Sequence, residues 1–230
     1  MKLHFLSGLP RSGSTLLTSI LSQNPEIHTE GVSGLCDLMW SASQSVKRNK
    51  QWNGNLRETE HIVHKLPQLY YGDIKKPIVI DKCRAWSLPL NMEMIKEYIT
   101  PNPKVILCVR PIDDIVKSFE KLFANNGRND FDSSPFASEL SMSIAGVRDA
   151  VDKKDPETFL LVDFDDLVNE PNRVINSIYN FLGLESFNHD LNNIVNENQE
   201  DDSVYGLTGM HDVRRAISKN TDISEGTASL

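Results

Sequence analysis

A short run that begins at Lys2 and ends at Leu6 passes directly into Ser7-Gly8-Leu9-Pro10-Arg11-Ser12-Gly13-Ser14-Thr15, and an apolar stretch follows until Asn24-Pro25. No other feature of the chain constrains its fold as strongly. The pattern predicts a strand over 2–6, a glycine turn, and a helix over 14–22 that stops before proline. The first N–H groups of such a helix have no partner within it and point back at the loop. Together with the helix dipole they make an anion site.

Three further runs read as strands: 77–81 (Pro-Ile-Val-Ile-Asp), 104–109 (Lys-Val-Ile-Leu-Cys-Val) and 158–162 (Thr-Phe-Leu-Leu-Val). They are short, continuous and rich in branched residues, as buried parallel strands are. Helical patterns lie between them, at about 34–47, 56–66, 88–98, 112–125, 135–151 and 171–182, the last closed by Gly183. Strands alternating with helices imply right-handed crossovers and a mostly parallel sheet covered on both faces, an α/β fold. A length of 230 residues suits one domain, expected over 1–221 with a frayed tail over 222–230. The polar stretch 125–134 reads as a mobile surface loop. The segment 188–219 is irregular and long, and such loops are usually functional or disordered.

The formal net charge of −8 argues against a nucleic-acid partner, which would need a basic face. Three cysteines, Cys36, Cys83 and Cys108, are expected to be reduced. Neither a signal peptide nor a membrane span is expected, and the simplest compartment is a reducing cytoplasm.

After Gly13, a triphosphate-binding loop requires Lys and then Ser or Thr. Here Ser14 and Thr15 follow, and the positive charge has moved inside the loop to Arg11. A guanidinium can bridge neighbouring anionic oxygens as a single ammonium cannot.

The run Phe-Leu-Ser-Gly-Leu-Pro-Arg-Ser-Gly-Ser-Thr-Leu-Leu over 5–17 resembles the 5′-phosphosulfate-binding motif of the sulfotransferases, in the form typical of the tyrosylprotein, bacterial and Golgi-type branches. The resemblance implies a kinase-like α/β core with no metal. The donor would be 3′-phosphoadenosine 5′-phosphosulfate, held through Pro10, Arg11, Ser12, Gly13, Ser14 and Thr15, and the product adenosine 3′,5′-bisphosphate. In that family an Arg at a strand end and a Ser eight positions later hold the 3′-phosphate, and Arg110 and Ser118 have this spacing. Taken alone, Arg110 could equally pair with Asp113 or Asp114. Pro111 departs from the usual Asp or Asn and should stiffen the helix entry. The stretches 161–171 and 178–184, the second ending Phe-Leu-Gly-Leu, are also similar to the family. A Tyr is common where Phe164 stands, so an aromatic there would serve adenine or core packing.

Sulfuryl transfer needs a base on the acceptor side and cations on the leaving side. The resemblance assigns the cations to Arg11 and Lys82 and the base to Glu30, one residue off the usual spacing, with His28 as its rival. Tyr205, Arg214, Arg215 and Lys219 lie in a segment resembling a His-x-Val-Arg region of bacterial members and could close as a lid. The acceptor would be a hydroxyl of a small molecule, sugar or peptide, near Trp40, Trp52 and the 125–134 loop. A kinase-like phosphotransferase and a silent nucleotide-binding module are the alternatives.

Overall fold

The computed structural model describes residues 1–48, 56–198 and 200–217. Trp52, Lys219 and the tail 222–230 lie outside them. The strands are β1 (Lys2–Gly8), β2 (Ile27–Val32), β3 (Ile78–Lys82), β4 (Val105–Val109) and β5 (Phe159–Asp163). The helices are α1 (Ser14–Leu21), α2 (Leu35–Arg48), α3 (Leu56–Tyr70), α4 (Pro89–Tyr98), α5 (Ile112–Asn125), α6 (Pro135–Asp152), α7 (Phe164–Asn169) and α8 (Pro171–Leu182). The strands form one parallel sheet in the order β2-β3-β1-β4-β5, as expected of an α/β domain.

Alternation along the strands builds two cores. Phe5, Val79, Val105, Leu107 and Phe159 face α2, α3 and α4, where they meet Met39, Trp86 and Ile95. Leu6, Ile78, Ile80, Ile106, Cys108 and Val162 face α1 and α8, against Leu17, Ile20 and Ile178. Burial on both faces removes the polar alternation a half-exposed sheet would show, which is why 78–80 of β3 and the whole of β4 read as unbroken apolar runs. A third cluster joins α5 to α6 through Phe119, Phe123, Phe131 and Phe136, and includes Leu9 beside the loop with Leu207 and Met210 from the C-terminal segment.

Two elements differ from the sequence reading. The stretch 25–31 is not only a turn: from Ile27 it runs as edge strand β2, with Ile27 and Thr29 buried and His28 and Glu30 half-buried. Polar residues and Gly31 hide this strand, as edge strands tolerate both. Asp163 caps a short helix, α7, by accepting from the N–H groups of Asp165 and Asp166. The 125–134 loop is also pinned, since Phe131 stacks on Phe119 at 4.7 Å and the Arg128 guanidinium donates to Asp130. All three cysteines are free and buried.

Candidate active site

The site begins with backbone geometry. Gly8 ends β1 at φ +124°, and a Cβ there would stand 2.1 Å from the Cys108 carbonyl oxygen of the neighbouring strand. Only glycine lets the two chains approach so closely. Gly13 caps α1 at φ 84°, and no side chain caps the helix, so its first N–H groups face the loop. Arg11 is itself left-handed, at φ 56°, an uncommon conformation for a side-chain-bearing residue. Pro10 is buried, and Ser12, fully buried, turns its hydroxyl to the carbonyls of Leu9 (2.5 Å) and Cys108 (3.1 Å). Ser12 therefore fixes the loop with its side chain and has its N–H to offer an anion.

Arg11 joins the two expected anchors. Its Nε donates to Ser118 Oγ on α5 at 3.1 Å, and its carbonyl accepts from Arg110 Nη1 at 3.2 Å. Its Nη1 donates to the Met210 carbonyl. Arg110 forms no ion pair with Asp113 or Asp114 among the described residues; Asp114 instead meets Lys117 at 3.7 Å. The Arg110 guanidinium lies 4.3 Å over the Phe164 ring, and its Nε is buried without a partner. Phe164 also closes on Gly13, where a Cβ would meet its ring at 2.7 Å. This aromatic thus spaces the loop from the second anchor.

Lys82 comes from the end of β3 and is 2% exposed. It donates to Thr15 Oγ1 at 3.1 Å, and burial lowers its pKa to about 8. Ser14, Lys82 and Arg84 line a small cavity beside the loop. Arg84 pairs with Glu139 from α6. Arg11 is pushed down first by burial and then by the charges of Arg110 and Arg84. A chain of net charge −8 here gathers four cations against one loop. Such mutual repulsion is relieved by a polyanionic ligand.

Glu30 and His28 form a separate pair on β2, Oε2 to Nε2 at 3.6 Å. The Glu30 charge bears on Tyr71 and Asp81, on the face opposite to that of Lys82. Asp81 is fully buried and accepts from Ser33, Tyr71 and Trp86, a structural junction. Tyr205 rests on Phe136 at 5.3 Å, and Arg214 is exposed, so neither joins the group around Arg11. Arg215 is likewise exposed, donating to Asn193.

The segment 200–211 does reach the loop, through residues that belong to none of the motifs described above. Glu200 Oε1 lies 3.9 Å from Lys82 Nζ and accepts the Val32 N–H at 3.2 Å. Asp202 accepts from His211 and from the Met210 N–H. Glu200 and Asp202 sit in the polar run Glu-Asn-Gln-Glu-Asp-Asp, inside the irregular 188–219 segment.

A family model described as "Sulfotransferase family" matches residues 5–189, and so spans the loop, β3, Arg110, Ser118 and Phe164. The chain belongs to the sulfotransferase family. Solved structures agree on the fold of this family member. The sulfotransferase domain from the curacin biosynthetic pathway matches with a TM-score of 0.60 at 18% identity, over 95% of this chain and 87% of that one. The sulfotransferase domain from the Synechococcus PCC 7002 olefin synthase matches at 0.55 and 20% identity, over 98% and 80%. A sulfotransferase from Alicyclobacillus acidocaldarius matches at 0.51 and 16%, over 83% and 84%. No curated protein sequence matches the chain. Among the described residues no helix is long and apolar enough to cross a membrane.

Proposed function

We propose that this sulfotransferase-family chain transfers the sulfuryl group of 3′-phosphoadenosine 5′-phosphosulfate to an acceptor hydroxyl, and that it stands nearest in motif to the tyrosylprotein and Golgi-type branches. The observation that carries the reading is the double engagement of Arg11, with Ser118 through its side chain and with Arg110 through its carbonyl. One residue thereby ties a loop suited to a 5′-phosphosulfate to a second basic site suited to a 3′-phosphate. The orphaned Arg110 Nε, buried beside Phe164, fits a charged acceptor of its hydrogen bond.

In this reading Pro10, Ser12, Gly13, Ser14 and Thr15 shape the loop, whose N–H groups cradle the 5′ end. Arg11 and Lys82 stabilise the charge that grows on the bridging oxygen as its bond to sulfur breaks. Arg110 and Ser118 hold the 3′ end. The acceptor oxygen bonds to sulfur, and its proton passes to Glu30, with His28 beside it as the alternative. Tyr205 and Arg214 would contribute only if the C-terminal segment shifts toward the nucleotide. The acceptor is a hydroxyl of a small molecule, sugar or peptide, the reaction requires no metal, and the expected compartment is the cytoplasm.

Calorimetric titration tests the donor. Adenosine 3′,5′-bisphosphate should bind in the presence of a chelator, and ATP with Mg²⁺ should bind more weakly or not at all. A preference for ATP would overturn the reading. A screen of hydroxyl acceptors with ³⁵S-labelled donor would then identify the acceptor class.

A further inference from the structure

The C-terminal segment places a carboxylate where the loop cations are densest, and the surroundings of that carboxylate are built for it. Glu200 Oε1 sits 3.9 Å from Lys82 Nζ, 3.6 Å from His211 Nε2 and 3.2 Å from the Val32 N–H. Its other oxygen is buried without a partner. Gly31 makes the room, because a Cβ there would lie 2.5 Å from Glu200 Oε1. On the far side of His211, Nδ1 meets Asp202. A carboxylate only accepts, so Nδ1 carries the proton and the ring is held in one orientation toward Glu200. The result is a line of contacts, Asp202, His211, Glu200 and Lys82, ending on Thr15 of the loop. Leu207 and Met210, buried against α5 and α6, anchor the segment that carries it.

We propose that Glu200, delivered by the 200–211 segment and oriented by the Asp202–His211 pair, is a positioning residue that keeps the Lys82 ammonium charged and against Thr15. Its catalytic meaning rests on the sulfuryl-transfer reading, in which Lys82 must be a cation. Burial works against that cation, and so does the nearby charge of Arg84; Glu200 is the carboxylate that opposes them, with the Cys108 thiol also adjacent. The segment therefore completes the site electrostatically instead of serving only as a cover.

The test follows Lys82 in the whole protein by NMR of ¹³C-labelled lysine, its resonance identified by loss in Lys82→Arg. The wild-type signal should titrate near pH 8. Glu200→Gln, which keeps the shape, should move the midpoint to lower pH. Gly31→Ala, which displaces the carboxylate, should do the same, whereas Glu200→Asp should stay close to wild type. Affinity for adenosine 3′,5′-bisphosphate should then fall at a lower pH in Glu200→Gln than in wild type, with the two equal at pH 6.5. A merely structural role would lower the melting temperature and leave the Lys82 midpoint in place, and an unmoved midpoint in Glu200→Gln overturns the proposal. Failure of the wild type to bind the bisphosphate would instead remove the donor reading and with it the catalytic meaning, while the NMR result still decides whether Glu200 controls Lys82.

Discussion

Arg110 reaches across from the end of β4 to donate to the main-chain carbonyl of Arg11, 3.2 Å away, so the strand end and the loop are held by one guanidinium. Its Nε is buried without a partner, and the guanidinium lies 4.3 Å over the Phe164 ring. In the proposed reading these are what a 3′-phosphate meets.

Arg110→Ala should therefore weaken adenosine 3′,5′-bisphosphate by about 2–3 kcal/mol, the scale of a lost charge-assisted contact. Arg110→Lys should recover only part of this, since an ammonium can neither fork nor stack as the guanidinium does. Calorimetry on both variants checks the order. Equal affinity for wild type and Arg110→Ala would remove Arg110 from the site.

Gly8→Ala should destabilise the fold by about 3 kcal/mol or more. The added Cβ would meet the Cys108 carbonyl oxygen at 2.1 Å, at a φ of +124°. The Cβ is fixed by the Gly8 backbone and the oxygen belongs to the Cys108 backbone, both in the central sheet, so neither can step aside. Urea denaturation measures the loss, and bisphosphate binding should fall with it because the loop starts at this residue.

The proton acceptor can be tested apart from donor binding. Glu30→Gln should lower turnover at least tenfold with little change in bisphosphate affinity, because Glu30 lies on β2, where it pairs with His28 at 3.6 Å. If His28→Asn instead carries the whole loss, the base is the histidine.

The strand, loop and helix over 5–17 were legible from the glycine turn between two apolar runs, and Arg110 and Ser118 were singled out by resemblance to the family's spacing, which puts them at the end of β4 and on α5. What stayed hidden depends on contacts between distant segments. Among the described residues β2 pairs with β3 alone, and it carries His28, Glu30 and Gly31, so its alternation is brief. Phe164 gains its role from Gly13 and Arg110, neither of which is near it in sequence. Glu200 sits in a polar run with no periodicity, and its meaning comes from a lysine on β3. Tyr205 and Arg214 had the more suggestive residue types in the same segment, but a fold places side chains by packing, and Leu207 and Met210 decide which way that segment faces.

Acid should weaken the fold partly through His4. This residue is 4% exposed in β1, and burial first, then the charges of Lys2 and Lys104, lower its pKa from 6.5 to about 4. Between these values the unfolded chain binds a proton that the folded chain refuses, so stability falls as pH drops through 6.5 and stops falling below about 4. The loss should amount to about 3 kcal/mol by pH 4. His4→Leu should flatten this part of the pH–stability curve.

Lys82 makes the opposite end of the pH scale informative. Its folded pKa of about 8 lies below the ordinary 10.5, so between these values the unfolded chain again holds the extra proton. Stability should rise as pH climbs from about 8 to 10.5, and below 8 the fold carries the full penalty of a buried ammonium. That penalty is about 3 kcal/mol, against about 1 kcal/mol returned by the hydrogen bond to Thr15. Lys82→Met should therefore be more stable than wild type at pH 7 by about 1–3 kcal/mol, with the advantage vanishing toward pH 10.5. The same variant should lose sulfuryl transfer. Stability gained with activity lost would mark Lys82 as a residue kept for chemistry at the expense of the fold; a less stable Lys82→Met at pH 7 would mean that the pairing with Glu200 and Thr15 already outweighs the burial.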